Sequence, residues 1–85
     1  MKPSTLFLLM AEFNTTHIPV VEVGKKYFGY EDRTAKNAAK NNKYPFPVFR
    51  LGNSKMSPWL VDISKLADYL DKESARAERE FKEAN

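Results

Sequence analysis

Two prolines separated by a single residue, Pro45 and Pro47, divide the chain into a helical part and a part that begins extended. Each proline disfavours helical geometry in the residue before it, so segment 44–47 cannot be helical. Segment 48–51 is β-branched and aromatic and predicts a strand, and 59–61 predicts its return after the turn-rich loop 52–57. We therefore expect a β-hairpin with a basic tip.

The stretch before these prolines has the signals of two short helices joined by a tight turn. Pro19 suits the first turn of a helix that runs to about Phe28, and Gly29 suits the left-handed residue that ends it. Asp32 is the predicted N-cap of a second helix, 33 to about 41, because its carboxylate can accept hydrogen bonds from free N–H groups of the first turn. This order predicts a helix-turn-helix.

Gly24 lies in the middle of the first of these helices, where glycine costs about 1 kcal/mol relative to alanine. Close approach of a second helix would explain the glycine. The second predicted helix has a small, close-packing face formed by Ala35, Ala38 and Ala39. The alternative is a tolerated surface glycine.

Both ends of the chain also predict helices. After a capping Ser4 or Thr5, four apolar residues recur at helical spacing, although a buried strand fits 6–10 as well: Leu6, Leu9, Met10 and Phe13. A polar turn, 14–16, follows. Asp62 or Ser64 caps a C-terminal helix whose apolar residues could lie on or near one face: Leu66, Tyr69, Leu70, Ala77 and Phe81. Alternating charges dominate this helix after Lys72.

Between Asp32 and Asp62 the chain has no carboxylate, but it has six basic residues: Arg33, Lys36, Lys40, Lys43, Arg50 and Lys55. Residues 1–60 have a net charge of +5 and residues 61–85 a net charge of −2. Such a basic window is typical of a surface that binds phosphates, and an ordinary solvated surface is the alternative.

Size and composition argue against an enzyme and against a metal or cofactor site. A chain of 85 residues forms one small core and leaves no room for a sizeable substrate cavity. The chain has no cysteine and one histidine, His17, so thiolate metal sites and disulfides are excluded. The apolar run 6–10 is too short to span a bilayer and lacks a signal-cleavage pattern. We expect a cytoplasmic protein without a membrane partner.

The predicted elements indicate an α+β fold, a small winged helix-turn-helix of the excisionase or MerR type. The second helix would enter the major groove of double-stranded DNA, and the hairpin would reach phosphates or the adjacent minor groove. We expect residues 1–72 to form the DNA-binding domain and residues 73–85 a charged helical extension.

The candidate contacts differ in their chemistry. Arg33 can contact a guanine edge or a phosphate, and Asn37 can pair with adenine or remain solvated. Phosphate contacts are the expected role of the remaining candidates: Lys36, Lys40, Lys43, Arg50, Ser54, Lys55 and Ser57. Trp59 is expected in the core rather than stacked on a base.

Several ordered segments, together spanning roughly residues 4–72, resemble the pyocin activator protein family: 5–11, 18–23, 27–29, 33–36, 47–52, 57–61 and 66–69. The resemblance implies a phage- or prophage-related DNA-binding regulator that activates bacteriocin genes. Carried over to this sequence, the resemblance implies a wing segment over residues 50–57. It also implies a DNA-reading segment, which includes Thr34 beside the residues already named: Arg33, Thr34, Lys36, Asn37 and Lys40.

Two other functions fit the same residues, an excisionase-like architectural protein and a protein-interaction module such as an antirepressor that meets an acidic partner.

For a regulator we expect self-association on DNA, because one recognition helix reads too few base pairs to find a promoter. The N-terminal apolar stripe is the favoured contact surface, and the C-terminal helix with Ala77 and Phe81 is the alternative. The stripe could instead complete the core of its own chain. RNA polymerase is a further candidate partner.

Overall fold

The computed structural model describes residues 4–52, 54 and 56–84. The chain forms α1, β1, α2 continuing into a π-helical turn, α3, β2 and α4, with these bounds: α1 Thr5–Phe13, β1 His17–Pro19, α2 Val20–Val23, π-helical turn Gly24–Phe28, α3 Asp32–Lys40, β2 Leu60–Asp62 and α4 Ile63–Ala84. This α+β arrangement of helices and a two-stranded antiparallel sheet is compatible with a winged helix-turn-helix.

Helix α1 forms because both of its ends are capped. The Ser4 hydroxyl accepts a hydrogen bond from the Phe7 N–H at 3.1 Å, and Asn14 ends the helix in the left-handed region at φ 54°. The prediction of a helix rather than a strand is therefore confirmed. The Thr5 hydroxyl donates to Asp71 at 2.5 Å and attaches the start of α1 to α4.

The two helices before Pro45, and the turn between them, lie close to their predicted bounds. Gly29 ends the first helix at φ 69°, as predicted, although the last five residues of that helix have π rather than α hydrogen bonding. The prediction of Asp32 as N-cap is wrong, because Glu31 has the extended backbone of the cap and Asp32 is already helical. In that position the Asp32 carboxylate acts through its charge in the first turn rather than as the cap.

Gly24 lies where the two helices cross. A Cβ atom on Gly24 would lie 2.9 Å from the Ala35 Cβ and 3.1 Å from the Tyr44 hydroxyl oxygen. That hydroxyl is buried and donates a hydrogen bond to the Ala35 carbonyl at 2.9 Å. Close helix approach, rather than a tolerated surface glycine, therefore explains this residue.

The sheet differs most from the prediction. Strand β1, which the sequence did not predict, pairs with β2 in the register His17↔Asp62, Ile18↔Val61 and Pro19↔Leu60. The other edge of Leu60 has a single bridge to Phe49, so the predicted strand over 48–51 is wrong in extent. If the pairing of Phe49 with Leu60 continued as an antiparallel ladder, Pro47 would face Asp62 and Pro58 would face Leu51. Because proline has no N–H, the ladder ends on both sides of Phe49.

The core lies between α2, α3, the sheet and the first half of α4. Its largest fully buried side chains are Ile18, Val20, Val23, Val61 and Leu66. A cluster of aromatic rings, with neighbouring centroids 5.5–6.4 Å apart, packs behind α3 and connects it to α4: Phe28, Tyr30, Tyr44, Phe46 and Tyr69.

Helix α4 begins at a carboxylate cap, as predicted. Asp62 accepts from the Ser64 N–H at 2.8 Å and the Ser64 hydroxyl at 2.7 Å, and these hydrogen bonds lower the pKa of Asp62. The second half of α4 is exposed and carries ion pairs such as Lys82–Glu78. The helix passes residue 72 without a break, and the division into a domain 1–72 and an extension 73–85 stays a prediction.

None of the described helices has the length and apolar character needed to cross a bilayer.

Candidate nucleic-acid interface

Helix α3 has two chemically opposite faces. Ala35 and Ala39 are buried against the body, and the opposite face exposes four long polar side chains: Arg33, Lys36, Asn37 and Lys40. Thr34 is also exposed, but helical spacing places it on the flank beside the partly buried Ala38 side rather than at the centre of the outward face. The small inward residues let α3 lie close to the body, so its basic face projects outward.

A groove with a volume of about 540 Å³ lies beside this face. Arg50 and residues 56–59 form its second wall, and the start of α2 contributes to its floor. The Val20 N–H donates to the Trp59 carbonyl at 2.8 Å and joins floor to wall. No carboxylate occurs among the described residues of the groove: Pro19, Val20, Val21, Lys36, Asn37, Lys40, Arg50, Met56, Ser57, Pro58 and Trp59.

Arg50 and Trp59 form one unit at this wall. The guanidinium carbon of Arg50 lies 4.9 Å from the centroid of the Trp59 ring, which is within the range of a cation–π contact. Trp59 is half-buried and packs against the core, so its predicted core role is confirmed, and it also presents part of its surface to the groove. The ring thus restrains the Arg50 cation at the groove without neutralising its charge.

The structure brings together half of the predicted contact residues. Five of the ten line the groove: Lys36, Asn37, Lys40, Arg50 and Ser57. Arg33 lies outside it, one turn before Asn37 on the outward face of α3. Lys43 is exposed after α3, where its N–H donates to the Ala38 carbonyl at 2.8 Å.

Ser54 has a structural role in the loop. Its hydroxyl accepts from the Met56 N–H at 3.1 Å, and its carbonyl accepts from the Ser57 N–H at 3.1 Å. The predicted contact Lys55 lies outside the described residues.

Sequence reasoning missed two features that shape the site. The first is the contact of Arg50 with Trp59, which the hairpin pattern could have revealed, because pairing Phe49 with Leu60 places these residues opposite each other. The second is Tyr44, whose hydroxyl donates to the Ala35 carbonyl and so attaches the first half of α3 to the loop that follows the helix. Burial, together with the neighbouring Tyr30, raises the pKa of Tyr44 to about 12.

His17 has no part in the groove. Its ring is exposed, with Nδ1 3.0 Å from the Thr16 hydroxyl oxygen and an edge contact to Phe49 at 5.7 Å between centroids. Within the described part of the chain, no group of three or more histidine or carboxylate side chains could hold a metal ion.

Comparison with known proteins identifies the family. The family model of the pyocin activator protein PrtN matches residues 5–77, from the start of α1 through both walls of the groove into the second half of α4. No curated protein and no solved structure gave a significant match. The resemblance found in the sequence segments is confirmed, and the chain belongs to the pyocin activator protein PrtN family.

Proposed function

We propose that this protein is a sequence-specific DNA-binding regulator that activates pyocin-type genes, and that it binds duplex DNA through a winged helix-turn-helix. The groove carries the proposal, because two separate elements contribute cations to it and no carboxylate occurs among its described residues. Family membership supports a regulatory role for pyocin genes. A cytoplasmic location follows from this function.

Helix α3 is the proposed recognition helix. The major groove of B-DNA, about 12 Å wide, admits one α-helix of about 10–12 Å diameter. Asn37 lies at the centre of the outward face and offers the amide that pairs with adenine N6 and N7. Lys36 and Lys40 lie beside it on the groove side of α3 and neutralise phosphates, because flexible point charges are better suited to phosphates than to base edges.

The segment 49–59 is the proposed wing. It is short, because among the residues that the structure describes the Phe49–Leu60 bridge is the one pairing between its two sides. Arg50 is held at the groove by Trp59 and faces the same space as Lys40. In this arrangement Arg50 and the Ser57 hydroxyl contact the DNA backbone beside the major groove that α3 enters.

Single substitutions on α3 test this assignment. On a pyocin promoter fragment, Asn37→Ala should cost about 1–3 kcal/mol of binding free energy, with little loss on random duplex. Lys40→Ala should weaken binding to both duplexes alike. The control is Lys65→Ala, which removes an exposed cation of α4 outside the groove. Fluorescence anisotropy measures all four proteins.

Two results would count against this assignment. If Asn37→Ala leaves the ratio of specific to random affinity unchanged, Asn37 does not read bases. If Lys40→Ala weakens binding no more than Lys65→Ala does, the groove is not the DNA surface.

A second candidate function, excisionase-like DNA bending, is favoured by two apolar side chains on the wing. Leu51 is 72 % exposed and Met56 is 89 % exposed, close to the basic groove. Apolar side chains of this kind can enter the minor groove between base steps and kink the duplex. Energy transfer between dyes on the ends of a short duplex measures the bend. For an architectural protein, Leu51→Ser and Met56→Ser should straighten the complex while binding persists, and the preferred site should be attachment-site DNA.

A further inference from the structure

Helix α1 is apolar on nearly every side, although it lies at the surface. Its charged residue, Glu12, forms an ion pair with Lys26. Helices at the surface of globular proteins normally have a polar face toward solvent. Instead, α1 exposes four large apolar side chains: Phe7 at 63 %, Leu8 at 53 %, Met10 at 41 % and Leu6 at 36 %. We call these four residues the α1 face.

The α1 face differs from the apolar stripe expected from the sequence. Leu9 is buried and Phe13 half-buried, so these two members of the stripe belong to the core of the same chain. Phe7 and Leu8, which were not in the stripe, are the most exposed members of the α1 face. The surface available to a partner is therefore the side of α1 that points away from α4.

We propose that the α1 face binds the same face of a second copy of this chain and so forms a two-fold symmetric dimer. Charge favours this occupant, because the face is uncharged and the adjacent Glu12 is already paired. Two such faces meet without like-charge repulsion, whereas an acidic partner such as DNA finds no cation on the α1 face.

The exposed area supports the same occupant. At about 200 Å² for a fully exposed large side chain, the α1 face presents roughly 400 Å² of apolar surface. A two-fold contact uses the face twice and buries at most about 800 Å² from these side chains, because Leu6 and Leu8 lie about 200° apart around the helix and one partner surface does not cover both in full. Surrounding atoms supply the rest of the roughly 1,200 Å² of the smaller specific interfaces. In a single copy, the exposed apolar surface of the α1 face is as large as the largest apolar patch found on typical monomeric proteins.

The location of the α1 face also suits a DNA-binding dimer, a consequence that rests on the proposed function. Helix α1 packs on α4, and none of its residues lines the groove beside α3. Dimerisation therefore leaves both grooves accessible. Two recognition helices related by a two-fold axis read two half-sites, about 34 Å or a multiple of this distance apart.

Sedimentation of the full-length chain across micromolar concentrations tests the dimer without DNA. The test variants Phe7→Glu and Leu8→Glu should raise the dimer dissociation constant by about 100-fold or more, because each places an uncompensated charge in the contact. The control Leu51→Glu changes an apolar side chain of similar exposure on the wing and should leave the dissociation constant unchanged. Far-UV circular dichroism and melting temperature show whether each variant is folded.

A charge-swap measurement distinguishes a contact at the α1 face from a general loss of structure in the variants. Mixing Phe7→Glu protein with Phe7→Lys protein should restore association that neither variant shows alone. A wild-type chain that stays monomeric with and without DNA overturns the proposal. Loss of association only when the chain is truncated after Lys72 also overturns it and places the contact on α4. If the dimer forms but binds no duplex, the proposed function fails and the dimer stands.

Discussion

The crossing of the two helices at Gly24 gives the sharpest stability prediction. Gly24→Ala adds a Cβ atom 2.9 Å from the Ala35 Cβ, whereas carbon atoms pack best at about 3.5–4.0 Å. Both atoms are fixed to helix backbones, so the helices must separate by roughly 0.5–1 Å to restore an ordinary contact. The Tyr44 hydroxyl, 3.1 Å from the same position, cannot move without losing its hydrogen bond to Ala35.

Two opposing terms set the size of this effect. Overpacking of a tight contact costs about 1–3 kcal/mol, and the better helix propensity of alanine returns about 1 kcal/mol. We therefore expect a net loss of about 1 kcal/mol, which lowers the melting temperature of a domain of this size by about 4–8 °C. Gly24→Leu adds several more methylenes and should destabilise further.

Thermal and urea unfolding of a double-mutant cycle measure the contact itself. Ala35→Gly removes the opposing Cβ, so the two substitutions together should be less destabilising than the sum of the single effects, with a coupling of about 1 kcal/mol. Lys25→Ala, at the exposed neighbouring position, is the control and should stay within about 0.5 kcal/mol. A higher melting temperature for Gly24→Ala, or a coupling below about 0.3 kcal/mol, would refute the close crossing.

Two further predictions concern titrating side chains. Asp62→Ala removes the cap of α4 and should cost about 0.5–2 kcal/mol at neutral pH. Because hydrogen bonds to Ser64 lower the pKa of Asp62, this stability is lost as pH falls through the lowered pKa, and urea titrations should show the gap to wild type closing in acid. Tyr44→Phe should cost about 0.5–1.5 kcal/mol by removing the hydrogen bond to Ala35. Burial raises the pKa of Tyr44 from 10.0 to about 12, so the free energy of unfolding of the wild type should fall as the pH rises between these two values. The phenylalanine variant has no such group and should lack this part of the fall.

Local signals account for what the sequence could predict. Ser4, Gly29 and Asp62 act within one helical turn of their own position, so their roles follow from residue type and spacing. Gly24 also predicted the close crossing of the two helices, because a glycine inside a helix is destabilising unless a close contact requires it. Its contact with Ala35 was not predicted. The predicted N-cap of α3, Asp32, is one residue away from the observed cap, Glu31. Local propensity does not show which of two adjacent acidic residues is the cap.

Long-range pairing accounts for the rest. Strand β1 forms because His17 to Pro19 pair with residues more than forty positions later, and no local pattern indicates that register. The wing is short because Pro47 and Pro58 interrupt the ladder from opposite strands, which becomes visible only when the register is known. The groove likewise depends on the position of Arg50 and residues 56–59 beside α3, so its basic residues were predictable individually but their grouping was not. The outward direction of Phe7 and Leu8 depends on which side of α1 meets α4.

The salt dependence of binding to duplex DNA tests the central claim most directly. If Lys36, Lys40 and Arg50, with contributions from Arg33 and Lys43, neutralise phosphates, the slope of log K against log salt should be roughly −3 to −5, at about 0.9 per contact. Replacing any one of the three groove cations by alanine should make the slope shallower by about 0.9, whereas Lys65→Ala should leave it unchanged. A slope near zero, or a slope that these groove substitutions do not alter, would contradict the assignment of this groove to DNA.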